Sequence, residues 1–241
     1  MTAPEPTPST ARLARIAGLL YVVIIALGIG GEALIRGPLQ GPGAASQTVA
    51  RLAAAELPFR LSILGDMVMA LSDVGLAALL FILLRPLSPR LALAAMVFRL
   101  TQAAILGLNL SSLQGAVTLA SAPGADAALV AHLLESHAAG YDLGLFFFGV
   151  SCVLLGVIFV RAQRAPGWLG VMLSAAGVVY LVGGAIHVVA PDLQEPFAAA
   201  YLIPVVAEVA FCAWLLAGGR QLAEERSGGT VFDLLAEAPS R

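Results

Sequence analysis

A chain of 241 residues that is 59% hydrophobic and only 12% charged, with a mean hydropathy of +0.92, lies outside the range of soluble domains. Its formal net charge of -2 comes without a basic stripe that would neutralise phosphates, which excludes a nucleic-acid partner. All 13 basic residues are Arg, a usage that fits a GC-rich bacterial genome.

The expected fold is all-α: a polytopic transmembrane helix bundle with the lipid bilayer as its first partner. Residues 1–11, rich in Pro and Thr, read as a disordered cytoplasmic tail. A helix needs about 20 mainly apolar residues to cross a hydrocarbon core about 30 Å thick. Six runs meet that length, at residues 13–35, 60–84, 91–113, 137–160, 166–189 and 197–217. They form a single domain over residues 12–220, and residues 221–241 are a polar cytoplasmic tail. The first run is too long for a signal-peptide core and reads as a retained span, with Gly18, Gly28, Gly30 and Gly31 as close-packing sites.

Residues 44–56 have the composition of a short surface helix. The Arg85-Pro86-Leu87-Ser88-Pro89-Arg90 segment turns the second span tightly into the third. Between Gln114 and Ser136 the apolar density drops and Pro123-Gly124 breaks the chain. Asp126 is then placed to cap a helical segment expected at the surface, with a solvated His132 on it.

Orientation follows from arginine placement in short loops. Arg12, Arg15, Arg85, Arg90, Arg161, Arg164 and Arg220 fall on one side of a six-span chain, against Arg36, Arg51 and Arg60 on the other. Both termini are therefore expected to be cytoplasmic, in the bacterial inner (plasma) membrane.

Polar residues inside the spans are the functional signal, because each is costly in hydrocarbon. At 1.5 Å per residue, Asp73 sits about 18 Å from Arg85 and Arg99 about 13 Å from Arg90, on adjacent antiparallel helices. A structural ion pair between Asp73 and Arg99 is the expected arrangement. Asp66 shares a face with Asp73, and Gln102 and Asn109 share one with Arg99. In the outer half Asp66 and Asn109 stand level with Arg60, with Glu32, and with His137, Tyr141 and Asp142.

Glu208 lies in the middle of the sixth span with nothing in its own helix to neutralise it, so it must be protonated, face Arg99 or face a polar cavity. Asp66, His137 and Asp142 are the acid–base candidates. Arg60, Asp66, Asn109, His137, Tyr141 and Glu208 are the candidate ligand-binding set. His187 near Asp192 and Glu195 reads as hydrated. No tight ligand spacing points to a metal, and no Gly-x-Ser-x-Gly, Walker or Rossmann pattern is present. Cys152 and Cys212 both fall in apolar runs and read as small core residues. The sequence names no cofactor and no oligomeric state.

The segments FRLSILGDMVMALSDVGLAALLFILLRPLSP, FRLTQAAILGLNL and HAAGYDLGLFFFG resemble a bacterial integral-membrane family known as domain of unknown function 4386. The likeness covers about Arg12 to Gly218 and includes Asp66, Asp73, Arg99, Gln102, Asn109, His137, Tyr141 and Asp142. It implies a multi-span membrane protein and carries no activity. Three functions stay open on the sequence. The first is binding or transport of a small amphiphilic ligand, in a polar cluster open to the outer side. The second is an intramembrane enzyme doing acid–base chemistry on a lipid or isoprenoid. The third is a structural or accessory subunit.

Overall fold

The computed structural model describes residues 10–41, 43–162 and 166–219. Arg164, Arg220, the tail at 221–241 and all but the last two residues of the tail at 1–11 lie outside the described residues. Helix α1 (Thr10–Gly30) runs on through a π-helical turn, Gly31–Arg36, and one further turn, Gly37–Leu39. Then come α2 (Ala45–Ala54), α3 (Glu56–Leu84), α4 (Pro89–Ala120), α5 (Ala127–Arg161) and α6 (Gly167–Val189). Short turns over Pro191–Leu193, Gln194–Phe197 and Ala198–Tyr201 lead into α7 (Leu202–Leu216). Six segments are long and apolar enough to cross a membrane: Thr10–Leu39, α3, α4, α5, α6 and Pro191–Leu216. Their outward faces are apolar, as a lipid-facing surface requires and a water-facing one does not tolerate: Leu34, Leu71, Leu108 and Val188 are each more than 70% exposed. The chain is a multi-pass membrane protein.

The spans form a closed ring. Each packs on its sequence neighbours in the order α1, α3, α4, α5, α6, α7, and α7 closes on α1. Both described ends meet there, since Gly218 lies against Ala11 and Arg15. This is the terminal end of the bundle, and the opposite one is called distal. The tightest seam is α5 against α6, where a Cβ on Gly149 would fall 2.8 Å from the Gly177 carbonyl oxygen and one on Gly156 2.5 Å from that of Gly170. Without a hydrophobic drive between helices in lipid, such backbone contact supplies dispersion that larger side chains would block. The glycines of the first span serve otherwise. Gly18 meets Leu216, Gly28 faces Met69, Gly31 makes room for the Arg36 guanidinium, and Gly30 faces open space. The loosest packing lies along α7.

The segment expected at the surface is in fact the continuation of two spans. Helix α4 extends to Ala120 and α5 begins at Ala127, where Asp126 Oδ1 accepts from the Ala128 and Leu129 amides at 2.9 and 3.2 Å. Val117, Val130 and Leu134 are buried with Leu52 of α2 and Phe59 of α3. Small residues such as Ala116 and Ala120 lower the hydropathy there while permitting close helix contact, so the segment packs inward where its composition suggested exposure. His132 on it is exposed. Pro204, inside the sixth apolar run, sits in the first turn of α7, where its missing N–H costs no helical bond. The first span carries irregular backbone in its π turn, Gly31–Arg36, just ahead of Pro38.

Candidate functional site

Each of the six ring helices sends a polar or aromatic group to the bundle centre. Arg99 of α4 donates from Nε to Asp73 Oδ1 of α3 at 2.6 Å, with Nη2 2.5 Å from the same oxygen. The guanidinium is sandwiched between Tyr21 of α1 and Phe148 of α5, 5.2 and 4.7 Å from the ring centroids. Glu208 of α7 accepts from the Tyr21 hydroxyl at 3.1 Å and from the Tyr180 hydroxyl of α6. The two carboxylates are treated differently by the fold: Asp73 has a cation, and Glu208 has two phenols.

This centre is not saturated by the protein. Asp73 Oδ2, Arg99 Nη1 and Gln102 Oε1 are fully enclosed and have no hydrogen-bond partner among the described residues. All three residues line a chamber of about 80 Å³, together with Tyr141, Tyr180 and Glu208. Buried polar atoms left unpaired cost about 1–3 kcal/mol each, so a polar chamber of this kind is suited to hydrogen-bonding guests. Beside it a larger cavity of about 360 Å³ lies along the α1–α7 seam and shares Ile24, Met69, Tyr141, Tyr180 and Glu208 with the chamber. Its remaining walls are apolar apart from Glu32. Ile29, Val205 and Val209 at its margin are exposed on the outside of the bundle, so the mouth opens sideways between two helices. The Tyr141 hydroxyl makes no hydrogen bond to the described residues.

At the distal end the polar residues sort into separate pairs. Arg36, only 2% exposed, donates from Nη1 to Asp66 Oδ2 at 2.6 Å and from Nε to Glu32 Oε2 at 2.9 Å. The π turn sets this up by bringing Arg36 back over Gly31, where a Cβ would lie 3.3 Å from Nη1. Asn109 donates from Nδ2 to the His137 carbonyl at 2.7 Å and lies 3.0 Å from its Nδ1. Gly140 leaves that space open, since a Cβ there would fall 2.3 Å from Asn109 Oδ1. Asp142 pairs with His187 Nδ1 at 2.7 Å, and the Gln194 side-chain amide lies against the same ring.

These contacts redraw the sequence-derived set. Asp73 and Arg99 stand together, and Glu208 faces a cavity. Asp66 and Asn109 do not meet: Asp66 turns to α1 and Asn109 to α5, because each has a nearer partner than the facing helix supplies. His137, Asp66 and Asp142 have three different partners and form no common acid–base group. Arg60 is half-exposed and bonds Glu56 at 2.8 Å, outside both cavities. Of the candidate ligand-binding residues, Tyr141 and Glu208 line the cavity itself. Among the described residues no group of three His, Cys, Asp or Glu side chains stands close enough to hold a metal ion. Both cysteines are free and buried.

Sequence reasoning missed Arg36, Tyr21 and Tyr180, and set His187 beside Asp192 and Glu195 where the structure pairs it with Asp142. Arg36 was counted as a loop arginine, although its four-residue spacing from Glu32 marks a helical pair. Tyr21 and Tyr180 lie far from the membrane-interface belts where tyrosines gather, and a mid-span hydroxyl requires a buried partner.

The comparisons agree with this architecture. An uncharacterised protein of the archaeon Archaeoglobus fulgidus is 27% identical over 163 residues, covering 68% of this chain and 86% of its own length. No solved structure matches the chain. Residues 16–219, which include α1 from Ile16 onward, the other five ring helices and both cavities, match the family described as "Domain of unknown function (DUF4386)", and the chain belongs to that family.

Proposed function

We propose that this protein binds a small amphiphilic ligand in the cavity along the α1–α7 seam and passes it between the bilayer and the polar centre. The observation that carries the reading is the joining of two environments: a lateral, apolar cavity of about 360 Å³ and a polar chamber with unpaired buried atoms, meeting at Tyr141, Tyr180 and Glu208. The volume is in the range of small-molecule sites, about 300–1,000 Å³. An apolar body fits the walls of Ile24, Ile25, Ile29, Met69, Val205 and Val209, and a polar head fits the chamber. The enzyme alternative draws less support, since His137, Asp66 and Asp142 are each engaged elsewhere. An accessory role accounts for the Asp73–Arg99 pair and leaves the cavity unexplained.

The setting we infer is a bacterial plasma membrane with the terminal end in the cytoplasm. With Arg36 buried, Arg51 and Arg60 remain as the surface arginines of the distal loops, against Arg12, Arg15, Arg85, Arg90 and Arg161 at the terminal end. The binding reading is tested by native mass spectrometry of protein purified in mild detergent. A retained amphiphile that disappears in Gly28→Leu is expected, because a side chain there enters the cavity against only the flexible Met69 sulfur. A preparation from several detergents that never carries or takes up an amphiphile would refute it.

A further inference from the structure

Charge in the two cavities does not balance. Three carboxyls, Glu32, Asp73 and Glu208, line them against one guanidinium, Arg99, while Asp66 and Arg36 stand outside both linings as a pair. Asp66 is held by Arg36 and Asp73 by Arg99, at 2.6 and 2.5 Å. Glu32 keeps a side-chain exposure of 61%, which leaves it hydrated beside Arg36. Glu208 is the carboxyl left over: it lies at mid-span, no basic side chain among the described residues bonds it, and its two hydrogen bonds come from neutral phenols. A lone carboxylate at that depth requires a proton or another cation.

The surroundings favour one kind of cation. The large cavity is lined by Glu32 and Glu208 and by no basic residue. An anionic head would therefore meet two carboxyls and no basic side chain, and the guanidinium of the adjoining chamber, Arg99, is already engaged by Asp73 and by two aromatic faces. Tyr141 and Tyr180 line the same cavity as Glu208, and aromatic rings there suit a positive head. The groups that face Glu208 are Tyr21 from α1, Asp73 from α3, Arg99 from α4, Tyr141 and Cys152 from α5, and Tyr180 from α6. Among these only Asp73 is another carboxyl, and Arg99 holds it.

From this geometry we infer that the ligand is a lipophilic cation, an apolar body bearing an ammonium or similar head, which exchanges with a proton on Glu208. The inference rests on the amphiphile-binding reading and adds the charge of the head and the group that recognises it. In the exchange the ammonium moves next to the Glu208 carboxylate and the carboxyl proton passes to water, so one positive charge enters the site as one leaves. The protein then presents the same net charge to the bilayer whether loaded or unloaded, which keeps both states stable in a low dielectric.

The test compares three probes of equal chain length, decylammonium, decanol and decanoate, binding to the full chain in phosphatidylcholine nanodiscs with empty nanodiscs subtracted. Decylammonium is expected to bind at least about tenfold more tightly than decanol, and decanoate most weakly. Its affinity is expected to fall about tenfold per pH unit below the pH at which Glu208 takes up its proton, and to be level above it, as for two cations competing at one site. In Glu208→Gln the preference over decanol and the pH dependence should both vanish while decanol binding persists, which also reports a folded protein. If that variant loses decanol binding as well, the wild-type pH ramp decides, and a flat ramp overturns the inference. Equal binding of the three probes, or a preference for decanoate, overturns the cation assignment and leaves the amphiphile site standing. Binding no greater than in empty nanodiscs, or unaffected by Gly28→Leu, overturns both.

Discussion

The Asp73–Arg99 pair offers the sharpest energetic test, through a double-mutant cycle of Asp73→Asn, Arg99→Met and the combination. In Asp73→Asn the guanidinium, 2% exposed, keeps its aromatic faces but loses its only carboxylate. Removing one partner of a buried pair costs about 3–5 kcal/mol, and the lower end applies here because Glu208 lines the same chamber and relieves part of the stranded charge. Arg99→Met strands Asp73 beside Glu208, two carboxyls with no cation, and also forfeits two cation–π contacts worth about 0.5–2 kcal/mol each. It should cost about 4–6 kcal/mol. The double variant leaves neither charge stranded, so its cost should stay near that of Arg99→Met alone and expose a coupling of about 3 kcal/mol. Reversible unfolding in mixed micelles with increasing sodium dodecyl sulfate measures all four corners. Losses that add to within about 0.5 kcal/mol would show the two residues to be energetically independent and refute the argument.

Three further outcomes follow from particular contacts. Gly156→Ala should lower stability by about 1–3 kcal/mol, because its Cβ would meet the Gly170 carbonyl at 2.5 Å and the α5 and α6 backbones would have to separate; thermal unfolding in detergent reports it, and an unchanged midpoint would contradict the packing. Gly140→Ala should displace Asn109 from His137 and cost about as much as Asn109→Ala, about 1–2 kcal/mol, with little further loss in the double variant. His187→Ala removes a pair whose side chains are 29% and 27% exposed, so its cost should stay below about 1 kcal/mol, and a loss of several kcal/mol would mark Asp142–His187 as more than a surface pair.

Reading Asp66 shows how contacts change an expectation. On sequence it belongs to the acid–base and ligand-binding candidates, residues named for function and not for stability. Its 2.6 Å bond to buried Arg36 instead predicts that Asp66→Asn destabilises the protein, as Asp73→Asn does.

What the sequence determined by itself was whatever a single helix dictates. Span length and hydropathy follow from bilayer thickness, and the Pro86 and Pro89 turn follows from backbone chemistry. The depth of Asp73 against Arg99 follows from helical rise across a helical hairpin with a short turn, which leaves little freedom in register. Tertiary structure decided everything that depends on how helices rotate about their axes and which ones become neighbours. Closing the ring through α7 and α1 brought Tyr21 and Tyr180 to Glu208 across separations of 187 and 28 residues. The π turn aimed Arg36 inward, which regular helical spacing does not anticipate. The cavity lies along the α1–α7 seam, between helices that adjoin in space and stand at opposite ends of the sequence, so no local pattern of residues could have placed it.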